Sequence, residues 1–186
     1  MLAKQQTRTD CEHAQTKDLD WARPTGFPTH SLFAVILYSL PLEIGSTTNL
    51  SVASGGPYDV TTGFDNNGDG VFNDRPSLVS NTGAGIYSTP FGLLSTNQAS
   101  GNLQRNIGTM PATVHLDLSL NRAFTLKEKR GSIMHQQTLR FDARSSNLLN
   151  HANYTAIDGI VGTPQFTQPV TADFGRRLEF GARLSF

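Results

Sequence analysis

The sequence predicts an all-β protein, an antiparallel meander of about five strands joined by long loops. Three observations predict it. Apolar residues recur at every second position through the last ten residues and through two internal stretches, the period of a strand with one apolar and one polar face. The composition, 37% hydrophobic and 16% charged with 17 Gly and 9 Pro, favours strands and long loops over helices. The connections alternate long, short, long, short, long, which is unusual for a sandwich or a Greek key.

Residues 1–30 are polar, carry Pro24 and Pro28, and hold only a weak helical period between Cys11 and Leu19, so they read as loop. Ser31 to Leu40 is a short apolar run rich in branched and aromatic residues, ended by Pro41, and reads as a strand. A strand over 44–53 follows through the tight connection "LPLEIG", with Ile44, Leu50 and Val52 on one face and Gly45, Asn49 and Ser51 on the other. Ser54 to Ala112, full of Gly, Asn, Asp, Ser, Thr and Pro, is too long for a structureless connection in a compact soluble domain.

The strand at 113–124, "TVHLDLSLNRAF", sets Val114, Leu116, Leu118, Leu120 and Phe124 against His115, Asp117, Ser119 and Asn121, and Arg122 is its one break. A charged connection, "LKEKRGSIMH", leads to the strand at 137–148, where Leu139, Phe141 and Ala143 oppose Arg140, Asp142 and Arg144. After a second Gly- and Pro-containing loop, the strand at 177–186 alternates Leu178, Phe180, Ala182, Leu184 and Phe186 with Arg177, Glu179, Gly181, Arg183 and Ser185.

Short turns at one rim and long loops at the other are the pattern of an outer-membrane barrel, and a membrane-crossing strand needs about 9–11 residues. With Phe186 at the periplasmic rim, "LPLEIG" and "LKEKRG" fall on that same rim. Rows such as Arg140, Asp142 and Arg144 then face water inside the barrel, while Leu, Phe and Val meet lipid. Residues 31–186 thus read as one partial barrel, and 1–30 as the remainder of a preceding external loop. A soluble β-sandwich with a solvated polar face would show the same alternation, but not the alternating loop lengths or an apolar last residue. The only long apolar run, "SLFAVILYSLPL", is too short for a membrane helix of about 20 residues. Fifteen basic against fifteen acidic residues leave no footprint for nucleic acid. The single cysteine, Cys11, has no partner for an internal disulfide. No targeting segment is visible, and Met1 opens on a stretch that reads as a loop already under way, the expectation for a truncated chain.

Three stretches together resemble the C-terminal barrel region of Oar-like TonB-dependent receptors of Gram-negative bacteria. They are "SGGPYDVTTGFDNNGDGVFNDRP" from Ser54, "LDLSLNRAF" from Leu116 and "LRFDARSSNLLNHANY" from Leu139, followed by the closing "RRLEFGARLSF". Where that family often has "AFNLLNH", this chain has "SSNLLNH". The resemblance implies location in the outer membrane, contact with its lipid, and a barrel of about 22 strands around a plug, which imports scarce nutrients with energy passed through TonB. The plug, the TonB-contacting box and most of the barrel are not in this sequence, so transport would need the remainder of the barrel and plug. It also implies that Phe186, with Leu184 and Phe180 on its face, forms the signal read by the barrel assembly machinery; an aromatic suits a boundary that is apolar on one side and wet on the other.

The strongest local motif is "DNNGDG". Asp65, Asn67 and Asp69 stand at alternate positions before Gly70, as in the first half of an EF-hand-type calcium loop, and the Val71 carbonyl and Asn73 side chain stand where further ligands would be. Position twelve is Pro76, so the bidentate carboxylate is missing and Asp74 would replace it imperfectly; any calcium site is expected to be weak, in the millimolar range. The same residues also suit a turn in which Asx side chains bond their own backbone. His13, His30, His115, His135 and His151 show no metal-ligand spacing, and no GxSxG pattern is present, so no enzyme is expected. "KEKR" at 127–130 reads as a charged turn beside phospholipid headgroups. The competing function is a secreted or surface β-domain that binds calcium or glycan through the 54–112 loop.

Overall fold

The structure is a computed structural model that describes residues 20–130 and 133–186. Residues 1–19 of the loop expected over 1–30, with Cys11 and His13, and Gly131 and Ser132 of the charged connection lie outside the described residues. The strands in chain order are β1 (Ser31–Leu40), β2 (Ile44–Ala53), β3 (Pro57–Tyr58), β4 (Ser77–Leu78), β5 (Ile86–Thr89), β6 (Gly92–Ser95), β7 (Gly108–Thr109), β8 (Thr113–Arg130), β9 (Ile133–Ser146), β10 (Tyr154–Ile157), β11 (Pro169–Ala172) and β12 (Arg177–Ser185). They fall into two compact units, one of His30–Ala53, Ala112–Asn153 and Asp173–Phe186, the other of the described residues up to Thr29 with Ser54–Pro111 and Tyr154–Ala172.

The first unit is a five-stranded antiparallel sheet in the order β1, β2, β8, β9, β12, so each strand pairs with the next long strand in the chain. The register runs without a slip: Leu32 opposes Val52, Val52 opposes Val114, Leu120 opposes Ala143, and Ala143 opposes Phe180. The sheet is open. β1 and β12 are its edges, and with five antiparallel strands both run in the same direction. β1 turns into β2 through a short 3-10 stretch, Pro41–Glu43, in which Leu42 (φ 66°) and Glu43 (φ 58°) are left-handed. Two successive positive φ values give the twist that a tight hairpin needs, but β-carbons make them costly.

The central hairpin is longer than the alternation predicts. The strand expected over 113–124 continues to Arg130, and its partner begins at Ile133, so most of the charged connection is paired strand. Charged residues do not by themselves break a ladder, and the backbone pairing continues past the end of the apolar stripe. At the other end the strand expected to reach 148 stops at Ser146, because Asn147 is left-handed (φ 49°).

The second unit is the main departure from a featureless loop. β3 pairs with β7, β6 lies between β4 and β5, and β10 pairs with β11. Val60, Leu94, Leu103 and Val161 are its buried apolar core, with Tyr58, Phe91 and Phe166 packed against them. Four small or medium side chains at about 1.5–3 kcal/mol each make a thin core, and polar groups carry much of the rest: Thr62, Asp74, Arg75 and Ser77 are also buried. Asp74 accepts hydrogen bonds from the Asn66 and Asn67 amides. Asp59 accepts from the Val60 and Asn106 amides. Burial pushes the Asp59 carboxyl up, opposed by the Asn106 amide and the Arg105 guanidinium.

Candidate membrane interface

Because the register is unbroken, each ladder of opposed residues lies on one face of the sheet. One face carries Ile36, Leu50, Leu116, Leu118, Leu120, Phe124, Phe141, Phe180 and Leu184 among others; the opposite face carries Asn49, His115, Asp117, Asn121, Arg140, Asp142, Arg144, Glu179 and Arg183. Large side chains on the apolar face stand open: Ile36 is 59% exposed, Phe180 82% and Leu184 51%. A continuous apolar face of this extent marks contact with a membrane or a partner. β1 departs from the division, since Phe33, Val35 and Leu37 put apolar side chains on its other face as well. No helix among the described residues is long and apolar enough to cross a membrane.

The apolar stripe on β8 runs from Val114 to Leu126. At ~3.3 Å per residue that is about 40 Å of strand, or about 30 Å of depth at a ~40° tilt, matching a hydrocarbon core of about 30 Å. All the short connections meet one end of the sheet: Pro41–Glu43, the link from Arg130 to Ile133, and the end of β12. Phe186 follows the last strand residue and is 97% exposed, while Phe180 and Leu184 share the apolar face with the stripe.

At the opposite end β9 stops short of its partner, leaving the first residues of β8 with an open edge. The segment after β9 covers it. Leu148 N–H donates to the Leu116 carbonyl at 2.7 Å, and Asn147 N–H donates to Asp117 Oδ1 at 2.9 Å. The Asn153 side chain does what a strand residue would: its Oδ1 accepts from Val114 N–H at 2.7 Å and its Nδ2 donates to the Val114 carbonyl at 2.9 Å. Asn153 is 1% exposed, and its Oδ1 also lies 3.0 Å from His151 Nδ1. The Asn147 amide bridges the His151 and Phe174 carbonyls, tying the entry of β12 to the same segment. His115 meets Asp173 at 4.0 Å. Sequence alone did not single out Asn147 or Asn153; their signal is a cluster of amides directly after an alternating strand.

In the loop unit Asp65, Asn67 and Asp69, three of the four residues singled out as metal ligands, lie in one backbone winding. Asp65 Oδ1 accepts from the Gly68 and Asp69 amides and Oδ2 from the Gly70 amide, while Asn67 Oδ1 accepts from Asp69 and Asp69 Oδ1 from Val71. Gly68 (φ 79°) and Gly70 (φ 83°) supply the left-handed positions this winding needs. Asn73 is exposed and shares no hydrogen bond with these side chains among the described residues. No group of three or more His, Cys, Asp or Glu side chains stands at metal-holding distances among the described residues. As the loop stands, its carboxylates serve its own backbone.

A register-locked sheet with one apolar and one polar face, an apolar band of bilayer depth, and short turns at a single rim defines a transmembrane β-barrel protein. Residues 45–179 match the family described as outer membrane beta barrel domain, and the chain belongs to that family. Membership implies an outer-membrane location and favours the membrane sheet over a secreted calcium- or glycan-binding domain. No curated protein and no solved structure matches the chain.

Proposed function

We propose that this chain forms the C-terminal part of the barrel of an Oar-like TonB-dependent receptor and transporter, and that it does not transport alone. One observation carries the reading: among the described residues the sheet has five strands with both edges open. A membrane barrel needs at least about eight strands, and unpaired strand edges are not tolerated in lipid. Self-association does not repair this, because β12 of one copy would meet β1 of another running in parallel. Antiparallel closure requires an odd number of further strands, supplied by the remainder of the barrel. The resemblance of the Ser54, Leu116 and Leu139 stretches to Oar-like receptors supports that source. Apart from the assembly machinery, the partners on this reading are lipid, the missing strands and a plug, and no catalytic chemistry is assigned.

The test is to tag the chromosomal gene in the exposed Ser80–Gly83 loop and follow the product. The reading predicts a heat-modifiable outer-membrane species that contains more strands than this chain, and nutrient uptake that is lost when TonB is removed. A soluble, monomeric product of 20.2 kDa would contradict it.

The proposal includes a weak calcium site in the loop of Asp65, Asn67 and Asp69. Its support is the winding of three consecutive amides around the Asp65 carboxylate, together with the neighbouring Asp74, whose Oδ1 is buried without a hydrogen-bond partner. Binding would require these side chains to turn from their own amides toward the ion.

A further inference from the structure

Arg122 breaks the apolar stripe, and the register sets it on the same face as the stripe, opposite Phe141. Its guanidinium carbon lies 4.3 Å from the centre of the Phe124 ring, which in turn meets Phe141 edge-on at 6.0 Å. The Arg122 Nε is buried and has no hydrogen-bond partner, and no carboxylate pairs with Arg122 among the described residues. Beside it lies an open groove of about 350 Å³, lined on this face by Ile44, Leu120, Phe124, Phe141, Ala143 and Phe180. That volume is at the lower end of the ~300–1,000 Å³ usual for small-ligand sites, and the groove is mainly apolar; Asn121 and Asp142 also border it, but the register sets their side chains on the opposite face of the sheet.

The position gives the cation a purpose. Arg122 is four residues from Leu126, the last apolar residue of the stripe, hence about 10 Å inside the bilayer boundary by the same strand rise and tilt. By lying over Phe124, the guanidinium is displaced along β8 toward the rim of short turns, where headgroups begin; long basic side chains near a boundary reach for it in this way. A ligand that satisfies the site must carry an anion at one end and a hydrocarbon chain at the other. A guanidinium matches phosphate oxygens with paired N–H donors.

We infer that Arg122 and the groove beside it seat one anionic phospholipid of the leaflet at the short-turn rim, its phosphate on Arg122 and one acyl chain lying across Phe141 and Phe180. This rests on the membrane reading above. The tag of the previous section provides the protein as the cell assembles it. Its recovery in the outer membrane tests the membrane reading first, and absence from that fraction overturns both. With the protein recovered in mild detergent, native mass spectrometry after exchange into phosphatidylglycerol or phosphatidylcholine reads the lipid retained. A preference for phosphatidylglycerol is expected, reduced about tenfold in Arg122→Leu, the order of a lost charge-assisted hydrogen bond, and partly kept in Arg122→Lys. Ala143→Trp, which fills the groove and leaves the charge, should lower retention of both lipids. Inorganic phosphate in excess should leave the adduct in place. Equal retention of the two lipids by the native protein, an unchanged preference in Arg122→Leu, or displacement by phosphate would overturn the site while leaving the membrane reading intact.

Discussion

Replacing Asn153 with alanine should unpick the end of β8. The side chain pairs with both Val114 backbone groups, at 2.7 and 2.9 Å, from a position that is 1% exposed. Alanine leaves one donor and one acceptor without partners, each costing about 1–3 kcal/mol when fully buried. Val114 is only half-buried, so water recovers part of this, and the net loss should be about 2 kcal/mol. The effect is local, and hydrogen exchange of the purified protein reads it directly: the Val114 amide should exchange roughly 30-fold faster. Asn102→Ala is the control. It removes a comparable bond, from Leu78 N–H at 2.7 Å, in the other unit, and should leave Val114 unchanged. Protection at Val114 that is the same in Asn153→Ala and the native chain would refute the idea that this amide substitutes for a strand.

Three other outcomes are expected. Leu42 and Glu43 hold left-handed φ values without being glycine, so Leu42→Asn with Glu43→Gly should raise resistance to denaturant by about 1–2 kcal/mol; no gain would mean that the turn is not strained. Phe186→Ser should lower the outer-membrane yield of the assembled protein far more than Ser185→Ala, whereas equal yields would remove the assembly signal. Calcium titration of a peptide spanning Gly63 to Pro76 should give weak, millimolar binding that is lost in the Asp65→Ala, Asp69→Ala form, and identical responses would leave the loop as a turn held by its own amides.

How much could be read in advance follows from what each residue faces. Leu116, Leu118 and Leu120, like Phe180 and Leu184, alternate cleanly because each must meet one medium on one side and a different one on the other. β1 showed no such division, since Phe33, Val35 and Leu37 are apolar on the second face too, and the strand was legible from its shortness, its branched and aromatic residues and the bounding Pro41. The extension of β8 through Lys127 to Arg130 was hidden because the apolar–polar alternation that marks a strand stops at Leu126, while the backbone pairing goes on to Arg130. The short strands of the loop unit are two to four residues long, too brief for a period to show. Asn147 and Asn153 acquire their roles only because β9 ends before β8 does, a fact of pairing that no local pattern contains. Arg122 was visible as a break, but its meaning needed the register that places it with Phe141 and the ring stacking that places it over Phe124. The Asp65 loop was the reverse: the Asx spacing and Gly70 announced the winding, and the amides of Gly68, Asp69 and Gly70 now account for it.

The sheet separates lipid from water, residue by residue. Spin labels placed one at a time from Val114 to Asn121 in the membrane-assembled protein test it, with collisions measured against oxygen, which concentrates in lipid, and against a water-soluble paramagnetic reagent. Val114, Leu116, Leu118 and Leu120 should favour oxygen, and His115, Asp117, Ser119 and Asn121 the aqueous reagent, in strict alternation. Equal access of the aqueous reagent to all eight positions would show that the two faces meet the same medium.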